Sequence, residues 1–101
     1  MAGTALQKCS NGRLELCGDL SFETVPGLWR DCARCFAEQD TLEIDLDGVE
    51  RADSAGVALL VECMRQAHQS GKTLRFFNMP AQMLALARVS SLDQVLPLQR
   101  D

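Results

Sequence analysis

The sequence predicts an α/β domain, a mixed β-sheet with helices mainly on one face, in the order β-β-α-β-α-β-α. Three observations predict it. Segments of strand-like and helix-like periodicity alternate along the chain, which implies helices layered on a sheet. Leu42, Ile44 and Leu46 alternate with Glu43, Asp45 and Asp47, whereas a strand covered on both faces would be continuously apolar. Finally, 101 residues supply one hydrophobic core and not two, so residues 1–101 are expected to form a single domain.

Each element follows from its local pattern. From Arg13 to Leu20, Leu14, Leu16 and Gly18 alternate with Glu15, Cys17 and Asp19, as in a half-buried strand. Asn11-Gly12 just before it is a strong hairpin signal, which makes Ala5 to Cys9 the partner strand. A helix is expected from about Phe22 to Glu38, with Leu28, Cys32, Cys35 and Phe36 at helical spacing. Pro26 has no N–H to donate and belongs in its first turns, with Ser21 and Thr24 both candidate caps. Thr41 to Leu46 is the next strand, and Gly48 to Ala52 the loop after it.

Ala55 to Ser70 then forms a second helix, with Val57, Leu60, Val61 and Met64 in one stripe and Gly71 as a left-handed end residue. Thr73 to Phe77 is a strand parallel to the previous one, because a helix joins them. Pro80 opens a third helix reaching about Val89. Leu92 to Leu98 is a short tail with room for one more strand or turn.

Fourteen acids against ten bases give a net charge of −4, with 47% hydrophobic and 24% charged residues. These are the fractions of an ordinary globular protein. The acidic balance argues against nucleic acid as a partner, since phosphates demand an excess of Lys and Arg. No apolar run approaches the roughly 20 residues that cross a bilayer. The opening residues also lack the order of an export signal. The expectation is a cytoplasmic chain without direct membrane insertion, reaching a membrane only through a partner.

Five cysteines are an odd number for a closed disulfide framework. Cys32-x-x-Cys35 has a suggestive spacing, yet it falls late in the first helix, away from the positive end that lowers a thiol pKa. Cys9, Cys17, Cys63 and His68 are scattered and supply neither a second CxxC nor a His pair, so no metal site is expected. The cysteines are read as packing thiols, and His68 as a solvent-facing residue near a helix end. A thiol or metal enzyme built on Cys32 and Cys35 is the weakest reading. There is no GxGxxG, P-loop or G-x-S-x-G, and no cofactor is implied.

One segment looks chosen for a surface. Between Thr41 and Gly56, Glu43, Asp45, Asp47, Glu50 and Asp53 face only Arg51, a local balance of −4 that equals that of the whole chain. Such runs are usually a solvated face. Asp53-Ser54-Ala55-Gly56, however, falls where a parallel strand hands over to a helix, the edge at which open α/β sheets bind ligands and partners. Either Ser54 or Asp53 can cap the helix. Ala55 and Gly56 lack bulk, which leaves room for a partner backbone. The Ser54 hydroxyl is also a good phosphate acceptor, because the helix dipole favours the added charge. The same four residues equally make a plain helix start. Ser54 is a poor nucleophile candidate, since His68 lies about four turns along the same helix. Trp29, the single tryptophan, either covers the edge of the core or contacts a partner.

The runs Leu42-Glu43-Ile44-Asp45-Leu46-Asp47-Gly48-Val49 and Ala52-Asp53-Ser54-Ala55-Gly56-Val57-Ala58-Leu59-Leu60 resemble the hallmark of STAS domains, found in sulfate transporters and anti-sigma factor antagonists. The resemblance spans nearly the whole chain and implies the STAS-like (anti-sigma factor antagonist-like) fold. With Gly27-Leu28-Trp29 and Leu84-Ala85-Leu86-Ala87, the chain is most similar to the small stand-alone members that serve ABC phospholipid transporters. That similarity implies a non-catalytic accessory subunit, peripheral to the inner membrane, bound to an ABC ATPase subunit in a complex with a permease. It implies partner-binding roles for Asp53, Ser54, Ala55, Gly56 and Trp29. Serine stands at position 54 where threonine is expected in such subunits, and Pro26-Gly27 also departs from their pattern. The serine is closer to the antagonists, in which a partner kinase phosphorylates it. The alternative is therefore an anti-sigma factor antagonist switched at Ser54.

Overall fold

Four parallel strands that follow one another across the sheet determine the layering. The computed structural model describes residues 5–8 and 13–99, with side chains from Arg13 onward apart from Phe36 and Asp93. The elements are β1 (Ala5–Lys8), β2 (Leu14–Leu20), α1 (Val25–Glu38), β3 (Thr41–Ala52), α2 (Ser54–Gln69), β4 (Thr73–Phe77), α3 (Ala81–Val89), a 3-10 turn (Leu92–Gln94) and β5 (Leu98–Gln99). Strand order is β1-β2-β3-β4-β5, with β1 antiparallel to β2 and the other pairs parallel. Crossovers between parallel strands are right-handed as a rule, so three that step the same way put their helices on one face. Accordingly, α1 packs on α2 and α2 on α3.

The core lies between that helical layer and the sheet. Leu16, Leu20, Leu42, Ile44, Leu46 and Phe76 point into it from the strands, and Leu28, Cys32, Leu60, Cys63 and Met83 from the helices. On the other face, Arg13 stacks on the Phe77 ring 3.7 Å from its centroid and pairs with Asp45 at 3.5 Å.

Two expectations need correction. The segment Gly48 to Ala52 is not a loop but the second half of β3. Two irregularities in the β2–β3 register, between Glu15 and Cys17 and between Gly18 and Asp19, each place an extra residue on β3. Burial then steps from Leu46 to Val49 to Ala52, and the period-two signal disappears. Gly48 is needed there, because a Cβ would stand 2.9 Å from Cys17 Sγ.

The first helix starts at Val25 rather than Phe22, with Pro26 in its first turn. Thr24 is its N-cap but makes no side-chain cap bond. Its hydroxyl donates to Asp19 O at 2.8 Å and accepts from Ser21 N–H at 2.9 Å, which stabilises a turn ahead of the helix. The tail contains β5, paired with β4, so the order gains a final strand. Cys9, Asn11-Gly12 and the Phe36 side chain lie outside the described residues.

Candidate docking site at the start of the second helix

β3 outruns β4, whose last paired residue is Phe77 opposite Asp45. The end of β3 therefore needs another partner on that side, and Gln82 of α3 supplies it. Its amide donates to Ala52 O at 2.7 Å and accepts from Ala52 N–H at 3.2 Å, as a neighbouring strand would. On the other side, Asp53 N–H donates to Leu20 O at 3.0 Å. The chain then turns into α2 with Asp53 as N-cap, its carboxylate accepting from Ala55 N–H at 2.8 Å. Of the two candidate caps, Asp53 does the capping. Ser54, the first helical residue, is left exposed.

Ala55 and Gly56 are buried, and the space Gly56 leaves is filled from inside the chain. A Cβ at Gly56 would meet Leu20 Cβ at 2.8 Å and Ala52 Cβ at 3.2 Å. Its small size thus lets the start of α2 sit down on the ends of β2 and β3. This replaces the expectation that Ala55 and Gly56 leave room for a partner backbone.

Ser54 stands at one end of a groove of about 520 Å³ between α2 and α3. Val57, Ala58 and Val61 form one wall, Leu86 and Val89 the other, with Val89 88% exposed. The core stripe expected on α2 is thus split: Val57 and Leu60 are buried, while Val61 is only partly covered and lines the groove. The sequence signal for the opposite wall is α3 itself. Its residues AQMLALARV carry apolar side chains around most of the helix, more than one buried face requires.

Trp29 does not line this groove. It lies on α1, half-buried against the core, and α1 and α3 are packed on α2. His68 is exposed near the far end of α2, about 21 Å along the helix from Ser54 at 1.5 Å per residue, too far to act as its base. Buried Cys32 on α1 is paired with buried Cys63 on α2: the hydrogen bond between them, followed by burial, holds the Cys63 thiol well above the usual thiol range, and the same bond lowers the pKa of Cys32. Cys63, neutral and enclosed, is a packing group and not a nucleophile. None of the described cysteines is in a disulfide, and no group of three or more potential metal ligands occurs among the described residues.

An exposed hydroxyl at a strand-to-helix junction, on a sheet of this order, is the arrangement the sequence resemblance calls for. The family description "Mlab, STAS domain" matches residues 5–98. The chain belongs to the STAS domain family. It is 30% identical over 84 residues to the intermembrane phospholipid transport system binding protein MlaB of Haemophilus influenzae, across 79% of this chain and 80% of that protein. Among solved structures it is similar to an anti-sigma factor antagonist from Mycobacterium paratuberculosis, with a TM-score of 0.78 at 19% identity, covering 97% of this chain and 85% of that one. The anti-sigma factor antagonist SpoIIAA in its unphosphorylated form gives 0.75 at 14% identity, covering 98% and 88%. At such identities these likenesses show the fold alone. No helix among the described residues of this STAS domain is long and apolar enough to cross a membrane.

Proposed function

We propose that this STAS domain is a non-catalytic accessory subunit of an ABC phospholipid-transport complex that maintains outer-membrane lipid asymmetry. It binds the cytoplasmic, MlaF-like ATPase subunit and is held at the inner membrane through that subunit and its permease. The observation that carries this reading is the exposed Ser54 hydroxyl at the mouth of the apolar α2–α3 groove. The groove offers side chains such as Val89 for burial, and Ser54 and Asp53 set polar contacts at its end. The similarity to MlaB supports the transport system as the setting.

Binding only the folded ATPase stabilises that fold by mass action. The acidic junction, with Glu50 and Asp53 near Ser54, favours a basic or polar patch on the partner and speeds encounter. Trp29 contributes by fixing α1 against the core, with its exposed part available for a partner contact on α1, away from the groove. The test is co-purification with the ATPase subunit. Ser54→Arg is expected to abolish it, and full retention would overturn the reading.

A second reading is favoured by Ser54 being an exposed hydroxyl at a helix start in a fold shared with anti-sigma factor antagonists. A phosphate there would be held by the helix dipole and repelled by acids across the interface. Intact-mass measurement on protein from its native cell separates the two. A phosphorylated Ser54 supports the switch, and unmodified protein bound to the ATPase supports the accessory subunit.

A further inference from the structure

Gln82 lies on α3, thirty residues from Ala52 in sequence, and both ends of its amide bond to the backbone of Ala52. A surface glutamine has no need of such a pairing for its own solvation. The backbone of β3 does need it, because β4 has already ended and the sheet edge at Ala52 would otherwise lack a partner on that side. The next residue, Asp53, is tied to Leu20 on the opposite strand and caps α2 at Ala55. Ser54 thus follows a peptide unit gripped from both sides, by Leu20 through Asp53 and by Gln82 through Ala52.

We infer that Gln82 is the positioning residue of the Ser54 site, holding the β3–α2 junction in the geometry that presents the hydroxyl. This rests on the docking reading above only for its consequence in binding. The same amide, outside the groove itself, ties α3 to the strand end that leads into α2, the two elements that carry the groove's walls. Gln82 shares α3 with Leu86 and Val89, while Ala52 leads into Ser54 and Val57. A partner that seats on α3 therefore meets the Ser54 hydroxyl at a fixed offset. Loss of the amide frees the two to move independently.

The test has one arm without the partner and one with it. Amide hydrogen exchange at Ala52 and Ala55 is measured in the free protein for the wild type, Gln82→Ala and Gln82→Glu. The glutamate retains an acceptor for Ala52 N–H but turns an oxygen toward Ala52 O in place of the donor. Affinity for the purified ATPase subunit of the same cell is then measured below the melting temperature. Ser54→Arg serves as the reference, and Ala67→Gly as a destabilised variant remote from the junction.

Faster exchange in both Gln82 variants is expected, with binding weakened about tenfold by Gln82→Ala, the size of one ordinary net hydrogen bond. Ala67→Gly should leave affinity unchanged, which a merely structural role for Gln82 would not distinguish from its own variants. Unchanged exchange at Ala52 in Gln82→Ala overturns the proposal whatever the affinity. Unchanged affinity in Gln82→Ala while Ser54→Arg abolishes binding overturns it as well. Faster exchange combined with full binding by Ser54→Arg overturns the docking reading instead and leaves the assignment of Gln82 to the junction standing.

Discussion

Gly56 packs against Leu20 with no room for a side chain: a Cβ on Gly56 would lie 2.8 Å from Leu20 Cβ and 3.2 Å from Leu20 O. This contact sets how deeply the N-terminus of α2 sinks onto the sheet, and hence the height at which Ser54 emerges. Replacing a helical glycine by alanine ordinarily stabilises by about 1 kcal/mol. Here the clash is with backbone and a buried Cβ, and overpacking of this kind costs about 1–3 kcal/mol. Gly56→Ala is expected to destabilise by about 1 kcal/mol in urea unfolding, with Gly56→Val worse. A stabilised Gly56→Ala would show that the junction has slack.

The division of labour between Asp53 and Ser54 is measurable. Asp53 accepts the cap bond from Ala55 N–H, so Asp53→Ala should lose about 1 kcal/mol of stability. Ser54 is exposed, and Ser54→Ala should change stability by less than about 0.5 kcal/mol. Equal losses in the two variants would contradict the assignment of the cap.

Alkaline pH probes the contact between α1 and α2. The hydrogen bond to Cys32 and then burial raise the Cys63 pKa, while the same bond lowers that of Cys32, so well above about pH 8.5 the folded pair keeps one proton where the unfolded chain has released both. The stability contributed is complete below that pH and declines as pH rises through and beyond it. The urea midpoint should therefore fall above about pH 9, with a shallower slope in Cys63→Ala, even though that variant starts lower. Parallel slopes would remove the thiol as the cause.

Val89 is 88% exposed and belongs to the wall of the groove that no other described element covers. Val89→Asp should leave the unfolding midpoint within about 0.5 kcal/mol of the wild type. It should weaken ATPase binding about tenfold or more, by burying an unpaired charge. Calorimetry of the two proteins mixed below melting checks this. Undiminished affinity would place the interface elsewhere.

Much of this was legible from the sequence, for identifiable reasons. β4 runs from Thr73 to Phe77 as expected, because Gly71 adopts φ +68 before it and Pro80 opens α3 soon after. Asp53-Ser54 marked the junction because common cap residues stand directly before the apolar stripe of a helix. The second half of β3 was hidden by its register shifts, since period two fails wherever one strand carries an extra residue. The true partner of Cys32 was hidden too. A CxxC spacing is visible in sequence, whereas contact with Cys63 depends on how α1 meets α2. The bond from Gln82 to Ala52 leaves no local trace. Val57 and Val61 share one helical stripe. That Val57 is buried while Val61 is only partly covered is set by tertiary packing, which the stripe does not show.

Site-specific photo-crosslinking in the native cell tests the central claim most directly. Ala58 is exposed on the groove wall, one turn beyond Ser54, and Arg75 is exposed on the opposite face of the sheet. A photoreactive residue at position 58 is expected to capture the ABC ATPase subunit, and one at position 75 is not. Capture of that subunit from position 75 and not from position 58 would contradict the account.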